Sequence, residues 1–127
     1  MIFLQLTLQS SNTAFHTSNW LEAIRAQQPS AELMEVDNFS EIYLLNKTLQ
    51  WALESTVPLI LHIHSFDAAV STGGLFRFLQ ELLERKKPIL ITLLGQHTGI
   101  EKYVRAFAEY TVVGTEKEAV ELVLAKR

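Results

Sequence analysis

Cysteine is absent from the 127-residue sequence, which excludes a disulfide framework, a thiolate metal site and a cysteine nucleophile. A basic stripe is absent too: the net charge is −3 and the single basic cluster, Arg85–Lys87, closes a predicted helix, so nucleic acid is not an expected partner. The opening segment MIFLQLTL is too short to span a membrane and has neither a basic flank nor a small-residue cleavage site. We therefore expect a cytoplasmic protein that has no membrane partner.

Linkers, internal repeats and low-complexity segments are also lacking, which predicts a single domain over residues 1–127. What the sequence does contain is an alternation of strand-like and helix-like apolar patterns, repeated five times. The predicted strands are Ile2–Leu8, Ala31–Val36, Pro58–His64, Ile89–Leu94 and Thr111–Val113. The predicted helices cover about Asn19–Gln28, a segment after Asp37–Phe39, about Gly74–Lys87, Gly99–Glu109 and a segment from Glu116.

Strict alternation with short links predicts a parallel sheet with helices on both faces, a three-layer α/β/α fold. The third and fourth strands are apolar with almost no alternation and are expected at the centre. The second strand carries Glu32 and Glu35 and the fifth is short, so both suit the edges. These assignments predict the flavodoxin-like order 2-1-3-4-5, whose topological switch point lies between the first and third strands.

Four predicted helix starts place a capping side chain three residues before a glutamate, a pattern that satisfies two backbone N–H groups reciprocally. The pairs are Asn19–Glu22, Asn38–Glu41, Thr98–Glu101 and Thr115–Glu118. The third helix lacks the glutamate and starts with Ser71-Thr72-Gly73-Gly74. We expect Ser71 or Thr72 to cap it. We also expect its first amides to attract an anion, which either a ligand or a phosphate added to one of these hydroxyls would supply.

The polar residues Ser10, Ser11, Asn12 and Thr13 follow the first strand, at the position where a flavodoxin has its hydroxyl-rich phosphate loop. Their hydroxyls and amides are able to hold an anion. The loop lacks the glycine of that motif, and no aromatic pair nearby is placed to enclose a flavin. An ordinary polar loop is therefore the preferred interpretation, and no cofactor is expected.

His62 and His64 lie two residues apart on a predicted strand and therefore point to the same face. A metal site would need a third ligand, for which Asp67 and His97 are the only plausible residues. We expect His62 to be buried beneath a helix and expect no metal.

A local resemblance to the Clp protease core covers residues 61–102. Ile63-His64-Ser65 and Gly95-Gln96 match that family's strand end and its later GQ-led loop. The family's oxyanion glycines fall on Asp67 and Ala68, and its nucleophile falls on Gly99. Acyl transfer needs a nucleophile and free amides for the oxyanion, so this resemblance does not predict that activity.

A second resemblance covers residues 57–125. Ser71–Leu75 (STGGL) stands where the STAS domain of anti-sigma factor antagonists has a D-S-S-G-L type loop, and Thr115–Ala119 (TEKEA) resembles the start of that family's closing helix. Val70 replaces the family's aspartate, and two β–α units replace its shorter N-terminal strands. The resemblance implies a regulatory module in which a partner kinase phosphorylates a serine of this loop and binds the adjacent helix.

These observations predict a non-catalytic binding or regulatory module that contacts a protein partner, or a second copy of itself, or a small anionic ligand. Its expected contact residues are His64, Ser65, Asp67, Ser71, Thr72, Gly73, Gly74 and Phe76. Phe76 is either a flank of the core or part of the interface. The alternative is a small-molecule or nucleotide-binding protein or enzyme that uses the crevice between Ser10–Thr13 and His64–Thr72, with His64 and Asp67 as an acid–base pair.

Overall fold

The computed structural model describes residues 1–10 and 19–126. Within them, strands and helices alternate along the chain. The strands are β1 (Ile2–Leu8), β2 (Glu32–Asp37), β3 (Leu59–Ser65), β4 (Leu90–Leu94) and β5 (Tyr110–Val113). The helices are α1 (Asn19–Gln27), α2 (Ile42–Glu54), α3 (Leu75–Arg85), α4 (Thr98–Val104) and α5 (Glu116–Ala125).

The five strands form one parallel sheet in the order β2-β1-β3-β4-β5. The predicted three-layer α/β class, strand order and edge strands are therefore confirmed. The strand register pairs Gln5 with Glu35 on one side and with His62 on the other, and His62 pairs in turn with Thr92.

Two apolar cores cover the two faces of the sheet. Helices α2, α3 and α4 enclose the larger core, which contains alternate residues of β1 and β3 such as Leu4, Leu6 and Leu61. Helices α1 and α5 enclose a smaller core around Phe3 and Trp20. The apolar face predicted for α3 is confirmed, because its five buried side chains are Leu75, Phe78, Leu79, Leu82 and Leu83.

Most of the predicted helix caps are wrong. Helix α2 is preceded by Glu41, which makes no side-chain cap bond. Asn19 and Thr98 lie inside their helices, and the cap of α4 is His97. Only the Thr115 cap is confirmed, because its hydroxyl accepts from Glu118 N at 3.1 Å. The Glu118 carboxylate accepts from the backbone N–H of Gly114, one residue before the cap.

Helix α4 ends earlier than its apolar pattern predicts. The backbone N–H groups of Ala106 and Phe107 bond three residues back, to Tyr103 and Val104, so the chain tightens into turns instead of continuing the helix. Phe107 still packs against the larger core from this turn.

Candidate functional site at the carboxyl edge of the sheet

Asn38 joins the three loops that follow β1, β2 and β3. Its side-chain oxygen accepts from Gln9 N at 3.0 Å, and its amide nitrogen donates to Gln9 O at 2.9 Å and to Ser71 O at 3.0 Å. Its own backbone N–H donates to Thr7 O at 3.2 Å. A side chain expected to cap a helix therefore holds the carboxyl edge of the sheet together.

A cleft of about 290 Å³ opens between these three loops. Its lining residues are Gln9, Ser10, Asn38, Phe39, Val70 and Ser71. The cleft lies beside the carboxyl ends of β1 and β3, where α/β sheets commonly bind ligands. This cleft corresponds to the predicted crevice, as far as that crevice is formed by described residues. Ser11, Asn12 and Thr13 lie outside the described residues.

The β3–α3 loop is fixed at several points. Ser65 is buried, and its hydroxyl donates to Gln96 O at 2.7 Å, so the two segments that resemble the Clp core do meet. Asp67 Oδ1 accepts from Ala69 N at 2.9 Å, which closes a local turn. His97 Nε2 lies 2.8 Å from Val70 O, while its Nδ1 accepts from Ile100 N at 3.3 Å. Nε2 therefore carries the proton that is donated to the loop.

The start of α3 differs from the prediction. Its N-cap is Gly74, which has no side chain to cap the helix, and the Ser71 hydroxyl instead accepts from Gly73 N at 3.3 Å. Thr72 contributes its carbonyl, which accepts from Leu75 N at 3.0 Å. Gly73 has a φ of 56°, and a Cβ there would lie 2.6 Å from Asn38 O. This close approach, together with the positive φ, requires glycine at position 73.

A cluster of exposed apolar side chains lies next to this loop, at the start of α2. Its members and their exposed fractions are Phe39 at 43%, Ile42 at 64%, Tyr43 at 72% and Leu44 at 44%. Ile42 also borders the groove between α2 and α3, together with Gly74, Arg77 and Phe78. Phe76 lies farther along and is half-buried, with its ring 5.6 Å from that of Tyr103. Phe76 therefore flanks the core.

A layer of polar side chains on the α1/α5 face was missed at the level of the sequence. Gln5 Nε2 donates to Thr7 Oγ1 at 3.1 Å, and Thr7 Oγ1 donates to Glu35 Oε2 at 2.7 Å. His62 Nδ1 lies 2.7 Å from Thr92 Oγ1. The sequence does contain a pattern that indicates this layer, because polar side chains recur at every second position of β1 and β3. The pattern is weak because the other residues of these strands are apolar.

His62 is fully buried, as predicted, with its ring stacked on Trp20 at 4.8 Å. Burial, assisted by the nearby His64, lowers the pKa of His62 from 6.5 to about 3, so the ring is neutral at physiological pH. His62 Nε2 and Trp20 Nε1 have no hydrogen-bond partner among the described residues. This polar layer is therefore only partly satisfied.

His64 lies at the carboxyl end of β3 and contacts a carboxylate other than the predicted one. Its Nδ1 is 3.1 Å from Glu116 Oε1, at the start of α5, and its ring stacks on Phe66 at 4.0 Å. Asp67 is engaged in its own loop, as described above. At this edge His64 therefore contacts the Glu116 carboxylate.

Two other kinds of site are absent from the described ranges 1–10 and 19–126. No helix there is long and apolar enough to cross a membrane. No group of three or more His, Asp or Glu side chains there is arranged to hold a metal ion. His97, one of the four residues considered for metal binding, donates to the β3–α3 loop instead.

Comparison with known proteins gives no relative from which a function could be transferred. No protein-family model, no curated protein and no solved structure matches the chain. The resemblances to the STAS domain and to the Clp core thus rest on the quoted motifs alone.

Proposed function

We propose that this chain is a non-catalytic binding module whose partner is a protein. The contact area, here called the α2–α3 surface, consists of Phe39–Leu44, the loop 65–74 and the first turn of α3. One observation carries the proposal: four of the seven large apolar side chains that are exposed among the described residues fall within Phe39–Leu44. Scattered exposed apolar residues are ordinary, whereas a cluster of them is typical of a protein contact.

The surroundings of the cluster support this proposal. The loop beside it is held by Asn38 and His97, so a partner would meet a surface that is already ordered. Lys47 lies 5.6 Å above the Tyr43 ring, and Arg77 pairs with Glu81 at the edge of the groove, which gives the apolar cluster a charged rim.

A photo-crosslinking amino acid at position 43 tests the proposal. We expect it to capture a specific protein, or a second copy of the chain, whereas the same group at Glu121 on the opposite layer should not. Sedimentation of the purified chain separates the two partners, because only self-association produces a dimer without added protein.

The captured partner is then purified and its affinity measured by calorimetry. Because a central apolar contact contributes about 2 kcal/mol or more, we expect Tyr43→Ser to weaken binding at least about tenfold, and Glu121→Ser to leave it unchanged. Equal affinities for the chain and for Tyr43→Ser would refute the α2–α3 surface.

Regulation by phosphate at Ser71 is the second part of the proposal, and it draws on the STAS resemblance. Ser71 is exposed and belongs to the α2–α3 surface, so a phosphate there would add nearly two negative charges beside the apolar cluster. Mass spectrometry of the chain from its native cells is expected to find phosphate at Ser71 or Thr72. Ser71→Glu is expected to alter partner affinity more than Ser71→Ala, and equal effects of the two variants would contradict control by charge.

A further inference from the structure

The open edge of β5 shares no residue with the α2–α3 surface. At the start of the β4–β5 ladder, Ile91 N donates to Glu109 O at 3.1 Å. Successive residues of a strand direct their backbone polar groups to alternate sides, so Glu109, Thr111 and Val113 direct theirs to β4. Val112 therefore directs both its N–H and its C=O to the open edge, where neither has a hydrogen-bond partner among the described residues.

Val112 is open to solvent through its side chain as well. It is 55% exposed and is one of the three large exposed apolar residues that lie outside Phe39–Leu44. Its neighbours Tyr110 and Val113 pack against the two cores instead. An exposed apolar side chain and two unpaired backbone groups thus coincide at one residue, and contact with another strand would cover all three.

The two edges of the sheet are protected differently against such a contact. The edge strand β2 carries Glu32, Glu35 and Asp37, and charged side chains at an edge oppose the addition of another strand. The sequence of β5 is YTVV, which contains neither a charge nor a proline and consists of β-favouring residues. Its length of four residues limits any added contact to a short one.

The hydrogen bonds on either side of Val112 favour a second copy of this chain over an extended peptide. Tyr110 N donates to Phe107 O at 3.2 Å, and Gly114 N donates to Glu118 Oε2 at 2.8 Å. A peptide paired along the whole edge would need these two N–H groups, which are already engaged. An antiparallel copy related by a two-fold axis at Val112 needs neither of them, because two residues that face each other in a hydrogen-bonded pair exchange both bonds.

The charges at the two ends of β5 are complementary in this arrangement. Near its start, Lys87 Nζ lies 3.0 Å from Glu109 Oε1, and Lys126 is close enough to act on the same carboxylate, so two cations accompany one anion. Beyond its end the chain carries two anions and one cation, which are Glu116, Lys117 and Glu118. Antiparallel pairing places the start of one β5 beside the end of the other, so opposite net charges meet.

We propose that the chain forms a two-fold symmetric dimer through antiparallel pairing of β5, in which Val112 of each copy exchanges both backbone hydrogen bonds with Val112 of the other. The pairing joins the two sheets into one and brings the two Val112 side chains together on the same face. The contact is small, so the dimer forms at high protein concentration. The proposal is independent of the partner proposed for the α2–α3 surface.

Sedimentation velocity of the purified chain between about 10 μM and about 1 mM measures the association. We expect the dimer fraction to rise with concentration across this range. An isotope-filtered NOE experiment on mixed labelled and unlabelled chain is expected to show contacts between Val112 methyl groups of the two copies. A chain that stays monomeric at about 1 mM would overturn the proposal.

Val112→Lys tests where the two copies meet. It places like charges opposite each other and is expected to weaken dimerisation at least about tenfold. Because Val112 is exposed in the single chain, the variant should keep the circular dichroism spectrum of the fold. Val57→Lys is the matched control, since Val57 is 39% exposed and belongs neither to β5 nor to the α2–α3 surface, and it should leave the dimer unchanged. A dimer that persists unweakened in Val112→Lys would refute the pairing.

Tyr43→Ser separates this proposal from the one for the α2–α3 surface. We expect it to leave the β5 dimer intact, and we expect Val112→Lys to leave crosslinking at position 43 intact. A dimer that is lost in Tyr43→Ser but retained in Val112→Lys would place the second copy on the α2–α3 surface and refute pairing through β5. Absence of crosslinking at position 43 would refute the α2–α3 surface alone.

Discussion

His62 connects the burial of one side chain to the pH dependence of folding. Its pKa is about 3 in the folded chain and near 6.5 when exposed, so between these values the unfolded state binds the proton and the folded state does not. The stability of the fold is therefore unaffected by His62 titration above pH 6.5, and it decreases as the pH falls below 6.5 because the unfolded state gains a proton that the folded state does not. Between pH 6.5 and 5 the loss is expected to be roughly 1.5 kcal/mol.

Urea denaturation at several pH values in this range, on the chain and on His62→Gln, measures that loss. Glu109 is the carboxyl whose titration could also change stability with pH, because its hydrogen bond with Lys87 lowers its pKa from the ordinary value of 4.5. The pH range used here lies above that value, so Glu109 adds little to the measured loss of stability. We expect His62→Gln to be less stable at pH 7 but to lose less stability on acidification. A parallel pH dependence in both proteins would show that His62 does not titrate as its burial requires.

His97 holds two segments at once, so its removal should cost more than a helix cap. His97→Ala loses the bond to Ile100 N and the bond to Val70 O. We expect a loss of about 1–3 kcal/mol in the free energy of unfolding, together with faster proteolysis within the loop 65–74. Thr98→Ala is the matched control, because Thr98 has a cap-like sequence but lies inside α4, and its effect should stay within about 0.5 kcal/mol.

At the scale of elements, the approach of the loop after β4 to the end of β3 depends on Gly95. Its φ is 88°, and a Cβ there would lie 2.1 Å from Ser65 O. Gly95→Ala is expected to destabilise the chain by at least about 1–3 kcal/mol, the cost of backbone strain before the overlap is counted. Thermal unfolding should show this as a lower Tm.

Gly99→Ala is the control for that variant. Gly99 lies within α4, and a Cβ there would find its nearest neighbour, His97 Cε1, at 3.6 Å, an ordinary contact. This variant is expected to raise stability by up to about 1 kcal/mol, because alanine loses less backbone freedom in a helix. Similar effects of both substitutions would mean that Gly95 is not constrained as described.

The elements themselves could be predicted because their apolar periodicity is strong, whereas their ends could not. Asn38 shows why. An Asn three residues before a glutamate suits a cap, but the same amide is also able to bridge loops, and the neighbouring chain decides between the two uses. Its partners Gln9 and Ser71 are 29 and 33 residues away in sequence. Local spacing contains no information about such contacts.

At the scale of the whole molecule, the strand order was predictable because polarity separates edge strands from central ones. Glu32 and Glu35 mark β2, and the four residues of β5 mark the other edge. The location of a cleft between β1 and β3 followed from that order. The chemistry of the cleft did not follow from the order, since Gln9 Nε2 donates to Asp37 Oδ2 across 28 residues of sequence.

The two faces of the sheet differ in how firmly they hold their helices. Among the described residues, twenty buried apolar side chains form the core under α2, α3 and α4, but only eight form the core under α1 and α5, beside the partly satisfied layer around His62. We expect α1 and α5 to open as a unit at a lower free energy than the rest, so their amide hydrogens should exchange with deuterium sooner than those of α3. Uniform exchange of all helices would contradict this. Unfolding would therefore begin on one face of the sheet, and α2 and α3 would remain packed on the other face after α1 and α5 have detached.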